Sequence, residues 1–166
     1  MILHTPRLRL EPVQESHFEG LRVLHSDAVA MRFLGGTKTD DEVRAWIGAA
    51  QGHWARFGFN WWAVIEQGTE ELLGAVSTQH IENDGAKPIE IGWRFRSEHW
   101  GKGFATEAGQ AMLRFAFNEV GVPEVYAVAN PENHASRRVM ERLEMRDAGL
   151  QQFYGTMCAT YVKERD

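Results

Sequence analysis

Two titratable side chains in the middle of the chain could accept a proton near neutral pH. Glu90 lies within a strand-like segment, and His80 ends the strand-like segment before it. Histidine has the better unperturbed pKa for a general base, although a single histidine at a strand end is more often structural. Glu90 alternates with Ile89 and Ile91, which places it on the opposite face and favours a solvated carboxylate. The sequence therefore offers two candidate general bases, Glu90 and His80, which could act directly or through water, and both remain open.

A glycine-rich turn separates a strand-like segment from a helix-like segment. It reads "WGKG" within "SEHWGKGFATEAGQAML", residues 97–113. A helix N-terminus has free N–H groups and a partial positive charge, and glycines let its backbone approach a bulky anion. The spacing is neither the G-x-G-x-x-G of dinucleotide sites nor the Lys-Ser/Thr loop of nucleoside triphosphate sites. The turn alone supports either anion binding or a connection with no chemical role.

The single cysteine, Cys158, excludes an internal disulfide and a cysteine-based zinc site. We expect it to be a small packing residue in a strand rather than a nucleophile. The sequence predicts no metal site.

Apolar patterning predicts strands and helices in the order β-α-α-β-β-β-α-β-α-β-β. The strand-like segments are "ILHTPRLRLEPV", "NWWAVIEQ", "ELLGAVSTQHI", "IEIGWRF" and "EVYAVA", followed by a C-terminal hairpin around Gly155. This order indicates an α/β or α+β fold with a mixed sheet, formed by one domain that spans residues 1–166.

Helix boundaries are marked by capping patterns. Ser16 and Glu19 have the spacing of a capping box, as do Thr39 and Glu42, and Gly58 fits a left-handed C-terminal cap. The last predicted helix starts near "NPENHAS", and its inward face is predicted to hold Ala135, Val139, Met140 and Leu143.

Composition narrows the range of partners. The net charge is −5 and basic residues do not interleave with aromatic ones along one face, which argues against nucleic-acid binding. No segment is apolar enough to span a membrane, and arginines interrupt the N-terminal segment where a signal peptide would be apolar. We therefore expect a cytoplasmic protein with neither a membrane nor a nucleic acid as partner.

Two blocks together resemble the GNAT N-acetyltransferases, especially their RimJ/RimL type. The first, "EIGWRFRSEHWGKGFATEA", resembles the family's acetyl-CoA signature, with Trp100 in place of the usual Arg or Gln. The second, "NPENHASRRVMERLEM", carries Asn133 and Ser136 at the spacing of that branch. The usual Leu-Gly-Phe/Met appears as Leu-Glu-Met at residues 143–145, which is a departure. The likeness extends over essentially the whole chain.

The resemblance implies a mostly antiparallel central sheet of about seven strands flanked by about four helices. It also implies that acetyl-CoA binds as a co-substrate, with its pantetheine arm beside the strand that precedes the turn. The residues it implies for cofactor binding are Trp93, Phe95, Trp100, Gly101, Lys102, Gly103, Phe104, Ala105, Thr106, Asn133 and Ser136.

The implied reaction is direct acetyl transfer to a primary amine in a ternary complex. Ser136 would donate a proton to the departing thiolate, or would merely cap its helix. Trp61 and Trp62 could wall the amine pocket or contact an ammonium, although core packing is the commoner use of such residues. The amine could be a protein N-terminus or a small molecule, and a homodimer is possible. The alternative is a catalytically inactive CoA-binding sensor or interaction module.

Overall fold

The computed structural model describes residues 1–166 as one eight-stranded sheet with helices on both faces. The strands are β1 (Leu3–His4), β2 (Leu8–Pro12), β3 (Trp61–Glu66), β4 (Leu72–His80), β5 (Ile89–Phe95), β6 (Glu124–Ala129), β7 (Arg146–Phe153) and β8 (Thr156–Glu164). The helices are α1 (Phe18–His25), α2 (Asp40–Phe57), α3 (Phe104–Phe115) and α4 (His134–Arg142). The predicted fold class, with four helices, is confirmed.

The strand order across the sheet is β1-β2-β3-β4-β5-β6-β8-β7. Every neighbouring pair is antiparallel except β5 and β6, which run parallel. The prediction of about seven strands is one too low, because the first segment is broken into two strands. Thr5, Pro6 and Arg7 form a turn there, in which the Thr5 N–H donates to the Leu8 carbonyl at 2.9 Å.

The two faces of the sheet bury different cores. Helices α3 and α4 cover one face, where Trp62, Ile91 and Met112 belong to the larger apolar cluster. Helices α1 and α2 cover the other face, where Leu21 and Ile47 belong to a smaller cluster. A sheet that is covered on both sides can enclose polar side chains on either face.

The structure confirms some of the helix caps predicted from the sequence and not others. Thr39 and Glu42 form the predicted capping box of α2, and Gly58 adopts the left-handed conformation at φ 80°. The predicted box of Ser16 and Glu19 is wrong, because a 3-10 turn precedes α1 and Gln14 caps that turn with His17.

In α4, Val139, Met140 and Leu143 are buried as predicted, but Ala135 is exposed in the first turn. None of the four helices is long and apolar enough to cross a membrane.

Candidate active site

The glycine-rich turn presents a row of unpaired backbone donors at the start of α3. Gly101 (φ 75°) and Gly103 (φ 83°) both have left-handed backbone conformations, which favour glycine. The backbone N–H groups of residues 101–106 donate no hydrogen bond within the protein. Gly103 caps the helix without a side chain, so no side-chain acceptor occupies these donors. Such a row of amides at a helix N-terminus can hold a phosphate group.

An open depression of about 710 Å³ lies over this turn. Its wall includes three basic side chains, Lys102, Arg114 and Arg142. The hydroxyl of Thr106, also in the wall, is buried and has no hydrogen-bond partner. The depression therefore offers positive charge and unused donors to an anionic ligand.

The N-terminal segment fastens the turn to the sheet. Glu107, in the first turn of α3, accepts hydrogen bonds from Thr5 Oγ1 at 2.6 Å and from the Arg7 backbone N–H at 2.8 Å. Arg7 Nε donates to the same carboxylate at 2.7 Å, and Arg7 Nη1 donates to the Lys102 carbonyl at 2.9 Å. Arg7 thus balances the one acidic side chain in the wall of the depression and fixes the turn's backbone.

Strand β5 leads from this turn into the sheet, and its edge toward β6 is mostly unpaired. The two strands are paired only at Glu90 and Tyr126, whereas β6 is paired with β8 along its whole length. The strands therefore separate beyond Glu90, toward Trp93 and Phe95. The Trp100 indole donates to the Phe95 carbonyl at 2.8 Å, which ties the turn to the end of β5.

Glu90 is buried where the strands part. The residue is 5% exposed, and its carboxylate accepts hydrogen bonds from the Tyr154 hydroxyl and from Gln79 Nε2, the latter at 3.0 Å. Burial raises the pKa of Glu90 to about 7, and the two hydrogen bonds only partly offset this increase. The expectation of a solvated Glu90 is therefore wrong. Such a carboxyl can accept and release a proton near neutral pH.

Tyr154 reaches Glu90 from the turn between β7 and β8. Tyr154 (φ 53°) and Gly155 (φ 73°) are the two central residues of this hairpin, and both have positive φ, as type I′ turns require. The Tyr154 N–H donates to Glu82 at 2.7 Å, which holds the turn against the β4–β5 connection. Burial and the neighbouring Glu90 carboxylate raise the pKa of the Tyr154 hydroxyl, so it serves as a donor.

His80 lies on the other face of the sheet from Glu90. On β4, Gln79 is paired with Glu90 and His80 with Ile89, so the side chains of Gln79 and His80 point to opposite faces. The His80 ring packs against Phe57 and Phe59, and its Nδ1 lies 2.9 Å from the Lys87 carbonyl. The structure therefore does not bring the two candidate bases together.

Helix α4 begins as the sequence predicts. The Asn133 side chain accepts from the Ser136 N–H at 3.2 Å and caps the helix. The Ser136 hydroxyl makes no hydrogen bond within the protein, so it is free to contact a ligand. Arg137, in contrast, donates to the Pro131 carbonyl at 3.1 Å and to the Tyr161 hydroxyl at 3.4 Å.

The side chains of Trp61 and Trp62 lie on opposite faces of the sheet. Trp62 is fully buried in the larger cluster, where it packs against Trp54 and Phe115. Trp61 is partly exposed on the opposite face, and its ring centroid lies 5.3 Å from that of Trp46. Only Trp61 is therefore placed to contact a ligand on the α1/α2 face.

Comparison with known proteins decides the family. The family model of the acetyltransferase (GNAT) domain matches residues 7–146. The chain belongs to the GNAT acetyltransferases. The protein YkkB of Bacillus subtilis is 34% identical over 146 residues, which is 86% of this chain and 84% of YkkB. FsC-acetyl coenzyme A-N(2)-transacetylase of Aspergillus fumigatus is 30% identical over 157 residues, 83% of this chain and 62% of that protein.

The fold is also shared with a solved ribosomal-protein acetyltransferase. RimL, an alpha-N-protein acetyltransferase in complex with coenzyme A, has a TM-score of 0.82 and 20% identity to this acetyltransferase, and the match covers 99% of this chain and 98% of RimL. The resemblance to the GNAT acetyltransferases, drawn from two sequence blocks, is confirmed.

Sequence reasoning missed four side chains of this acetyltransferase's site. Gln79 and Tyr154 hold the Glu90 carboxylate, while Arg114 and Arg142 line the depression over the glycine-rich turn. Gln79, Tyr154 and Arg142 reach the site from other elements, and Arg114 reaches the depression from the last turn of α3, ten residues or more beyond the glycines. A tyrosine before a hairpin glycine was the one available signal.

The remaining candidate groups are engaged elsewhere. Cys158 is buried, and burial raises the pKa of its thiol, which disfavours the nucleophilic thiolate. Glu71, Glu98 and His99 converge, but Arg96 donates to both carboxylates.

Proposed function

We propose that this acetyltransferase transfers the acetyl group of acetyl-CoA to a primary amine by direct transfer in a ternary complex. One observation carries the proposal: strand β5 connects a row of six unpaired amides, residues 101–106, with the buried carboxyl of Glu90. The first end suits a pyrophosphate and the second end suits a proton acceptor. The acceptor's amine would meet the thioester beside the separated edge of β5.

The residues of this chain fit coenzyme A. The backbone N–H groups of residues 101–106 would hold the pyrophosphate, and Lys102, Arg114 and Arg142 would face its further phosphate. The open edge of β5 from Trp93 to Phe95 offers backbone groups to the pantetheine arm, like an added strand. A backbone N–H on that edge would also polarise the thioester carbonyl.

Glu90 is the group we assign as general base, in preference to His80. The amine must lose a proton as its nitrogen forms the C–N bond and the C–S bond breaks. The Glu90 carboxylate would take that proton, directly or through water, because a pKa of about 7 leaves much of it ionised at neutral pH. The free Ser136 hydroxyl would donate a proton to the thiolate that leaves.

Turnover with a panel of amines tests the proposal. We expect thiol release from acetyl-CoA to depend on an added amine, and we expect acetylated amine and free CoA in equal amounts. A CoA-binding module would instead bind acetyl-CoA in calorimetry and acetylate nothing in the panel.

Ser136→Ala should lower kcat and leave acetyl-CoA affinity nearly unchanged, because the Ser136 hydroxyl would act on the thiolate that leaves. Full activity of that variant would remove Ser136 from the mechanism.

The proposal leaves two classes of acceptor amine to be tested. RimL acts on a ribosomal protein, which makes a protein N-terminus one class of acceptor to test. A small amine is the other class.

A further inference from the structure

Arg94 occupies an aromatic niche on the face of the sheet that α1 and α2 cover. Its guanidinium carbon lies 4.5 Å from the Trp61 ring centroid and 5.4 Å from that of Trp46. Its Nη1 lies 3.1 Å from His25 Nε2. The His25 ring in turn contacts Trp46, with centroids 4.8 Å apart. The niche therefore holds a cation between two indole rings and an imidazole.

No anion within the protein balances this cation. No acidic oxygen lies within 4 Å of Arg94, whereas Arg96 on the same strand pairs with Glu71 and Glu98. The Arg94 Nε is enclosed and has no acceptor, and burial alone lowers the pKa of the guanidinium to about 10. Arg94 is partly buried, and a charge withdrawn from water without a partner destabilises the fold. A ligand that supplies the missing negative charge would offset this destabilisation.

The neighbouring groups add positive charge and no negative charge. His25 Nδ1 donates to the Leu21 carbonyl at 2.8 Å, so Nε2 is left as the acceptor for Arg94. Burial, Arg94 and Lys38 lower the pKa of His25 to about 4, so this ring is neutral at physiological pH. Lys38 is the second cation beside the niche, and it has no ion-pair partner.

One face of β5 joins the niche to Glu90. Glu90, Gly92 and Arg94 alternate along one face of β5, and the first and last Cα atoms are about 13 Å apart in an extended strand. Gly92 lies between them without a side chain, opposite Ser77. A Cβ at Gly92 would lie only 3.0 Å from Ser77 Oγ and 3.8 Å from the Trp61 ring, so the Trp61 indole of the niche borders this position as well. On the same face, the buried Ser77 hydroxyl and Gln79 Oε1 have no hydrogen-bond partners.

We infer that the acceptor is an amine that also carries a carboxylate, bound with the carboxylate at Arg94 and the amine directed toward Glu90. This inference rests on the proposed acetyl transfer. The fork of Arg94 suits a carboxylate, the indole rings flank the acceptor's chain, and Ser77 and Gln79 supply polar contacts between the two ends. Because the Arg94 and Glu90 side chains extend from the same face of β5, the distance left between their charged groups suits an acceptor of about the size of a dipeptide.

Matched peptides test the inference. Dialanine and dialanine amide differ only in the terminal carboxylate. We expect kcat/KM for dialanine to exceed that for the amide by about tenfold or more in the wild type, and mainly through KM. Arg94→Met should bring the ratio close to one, and Arg94→Lys should keep part of it. Arg44→Met is the control, because Arg44 also stacks on an aromatic ring, with its guanidinium carbon 4.0 Å from the Phe18 centroid, but lies away from the niche.

Two further experiments distinguish a failure of carboxylate recognition from a failure of acetyl transfer. Calorimetric titration of the CoA-loaded enzyme with the same two peptides reports carboxylate recognition even if no amine is acetylated. Equal affinities, or a ratio near one in the wild type, would overturn the carboxylate site while leaving acetyl transfer intact.

An amidated peptide with aspartate at its second position distinguishes the source of the carboxylate. Turnover equal to that of dialanine would indicate a side chain of a longer N-terminal segment, and slow turnover would indicate a small molecule.

Discussion

The alternation of side chains along β5 predicts the face on which Glu90 lies, but not whether that face is exposed to solvent. The sequence correctly places Glu90 on the face opposite Ile89 and Ile91, but that face is not open to water at this position. Tyr154 and Gln79 cover the carboxylate and donate hydrogen bonds to it. The identity of the candidate residue was predictable from the sequence. Its burial, and therefore its raised pKa, depends on a hairpin more than sixty residues later in the chain.

The first prediction concerns catalysis by Glu90. Because the pKa of Glu90 is raised to about 7, the fraction in the base form increases through neutral pH, and kcat/KM should rise with it. Glu90→Gln should lower kcat by about 10²–10⁴-fold and should remove this rise. The measurement is a pH–rate profile of both proteins, taken with subsaturating amine for kcat/KM and with saturating amine for kcat.

His80→Gln provides the comparison for that profile. His80 faces the other side of the sheet, so its variant should retain the rise near pH 7 and most of kcat. If His80→Gln flattens the profile and Glu90→Gln leaves it unchanged, the assignment of the base is wrong.

At the scale of elements, the α3 turn is defined by its backbone rather than by its side chains. Gly101 and Gly103 provide the positive φ angles, and the amides they leave free form the row to which we assign the pyrophosphate. Gly103→Glu should abolish acetyl-CoA binding in calorimetry, because a bulky anion would occupy the position of the pyrophosphate.

Gly149→Glu is the matched control for this substitution. Gly149 also has a positive φ, of 80°, and open space around it, but it lies in β7 away from the turn. This variant carries the same added charge and comparable backbone strain, so it should bind acetyl-CoA like the wild type. Equal affinity of both variants and the wild type would show that the turn does not hold the cofactor.

The link between the N-terminal segment and α3 gives a third prediction. Arg7→Met leaves the Glu107 carboxylate without its cation in the wall of the depression, where it would repel a phosphate. We expect acetyl-CoA binding about tenfold weaker, or about 1.4 kcal/mol. Adding Glu107→Gln should recover most of that loss in calorimetry. A double variant as weak as Arg7→Met would mean that Arg7 acts only through the backbone it holds.

Elements with strong local signals were predictable, and those set by distant contacts were not. The cap of α2 at Thr39 and the cap of α4 at Asn133 depend on side chains within three residues, and both form as predicted. The cap expected at Ser16 does not form, because Gln14 and His17 cap a 3-10 turn before α1 instead. The depression's Arg142 follows from the way α4 lies against the turn, which no local pattern encodes.

Across the whole molecule, β5 would contact both substrates, one along its edge and the other on one face. Its open edge and the following turn suit coenzyme A, and its α1/α2 face carries Glu90, Gly92 and Arg94 toward an acceptor. The two substrates would therefore meet at one strand from different sides. This arrangement requires polar groups inside a covered sheet, and those groups reduce the stability of the fold.

The pH dependence of stability measures that cost. Glu90 has a higher pKa in the folded protein than the ordinary value of 4.5, so its ionisation opposes folding. The penalty is absent below about pH 4.5, grows as the pH rises toward 7, and then stays constant, at up to about 3 kcal/mol. Glu90→Gln should therefore be more stable than the wild type at pH 8 and similar to it at pH 4, by chemical denaturation. A difference that is independent of pH would contradict the burial of an ionisable Glu90.

Product analysis tests acetyl transfer most directly. The enzyme is incubated with acetyl-CoA and either dialanine or its amide, and the peptide and free CoA are quantified by mass spectrometry. The account predicts peptide acetylated at its amine in an amount equal to the CoA released, with Glu90→Gln nearly inactive. Acetyl-CoA that binds and remains intact with every amine tested, or acetylation that is unaffected by Glu90→Gln, would contradict it.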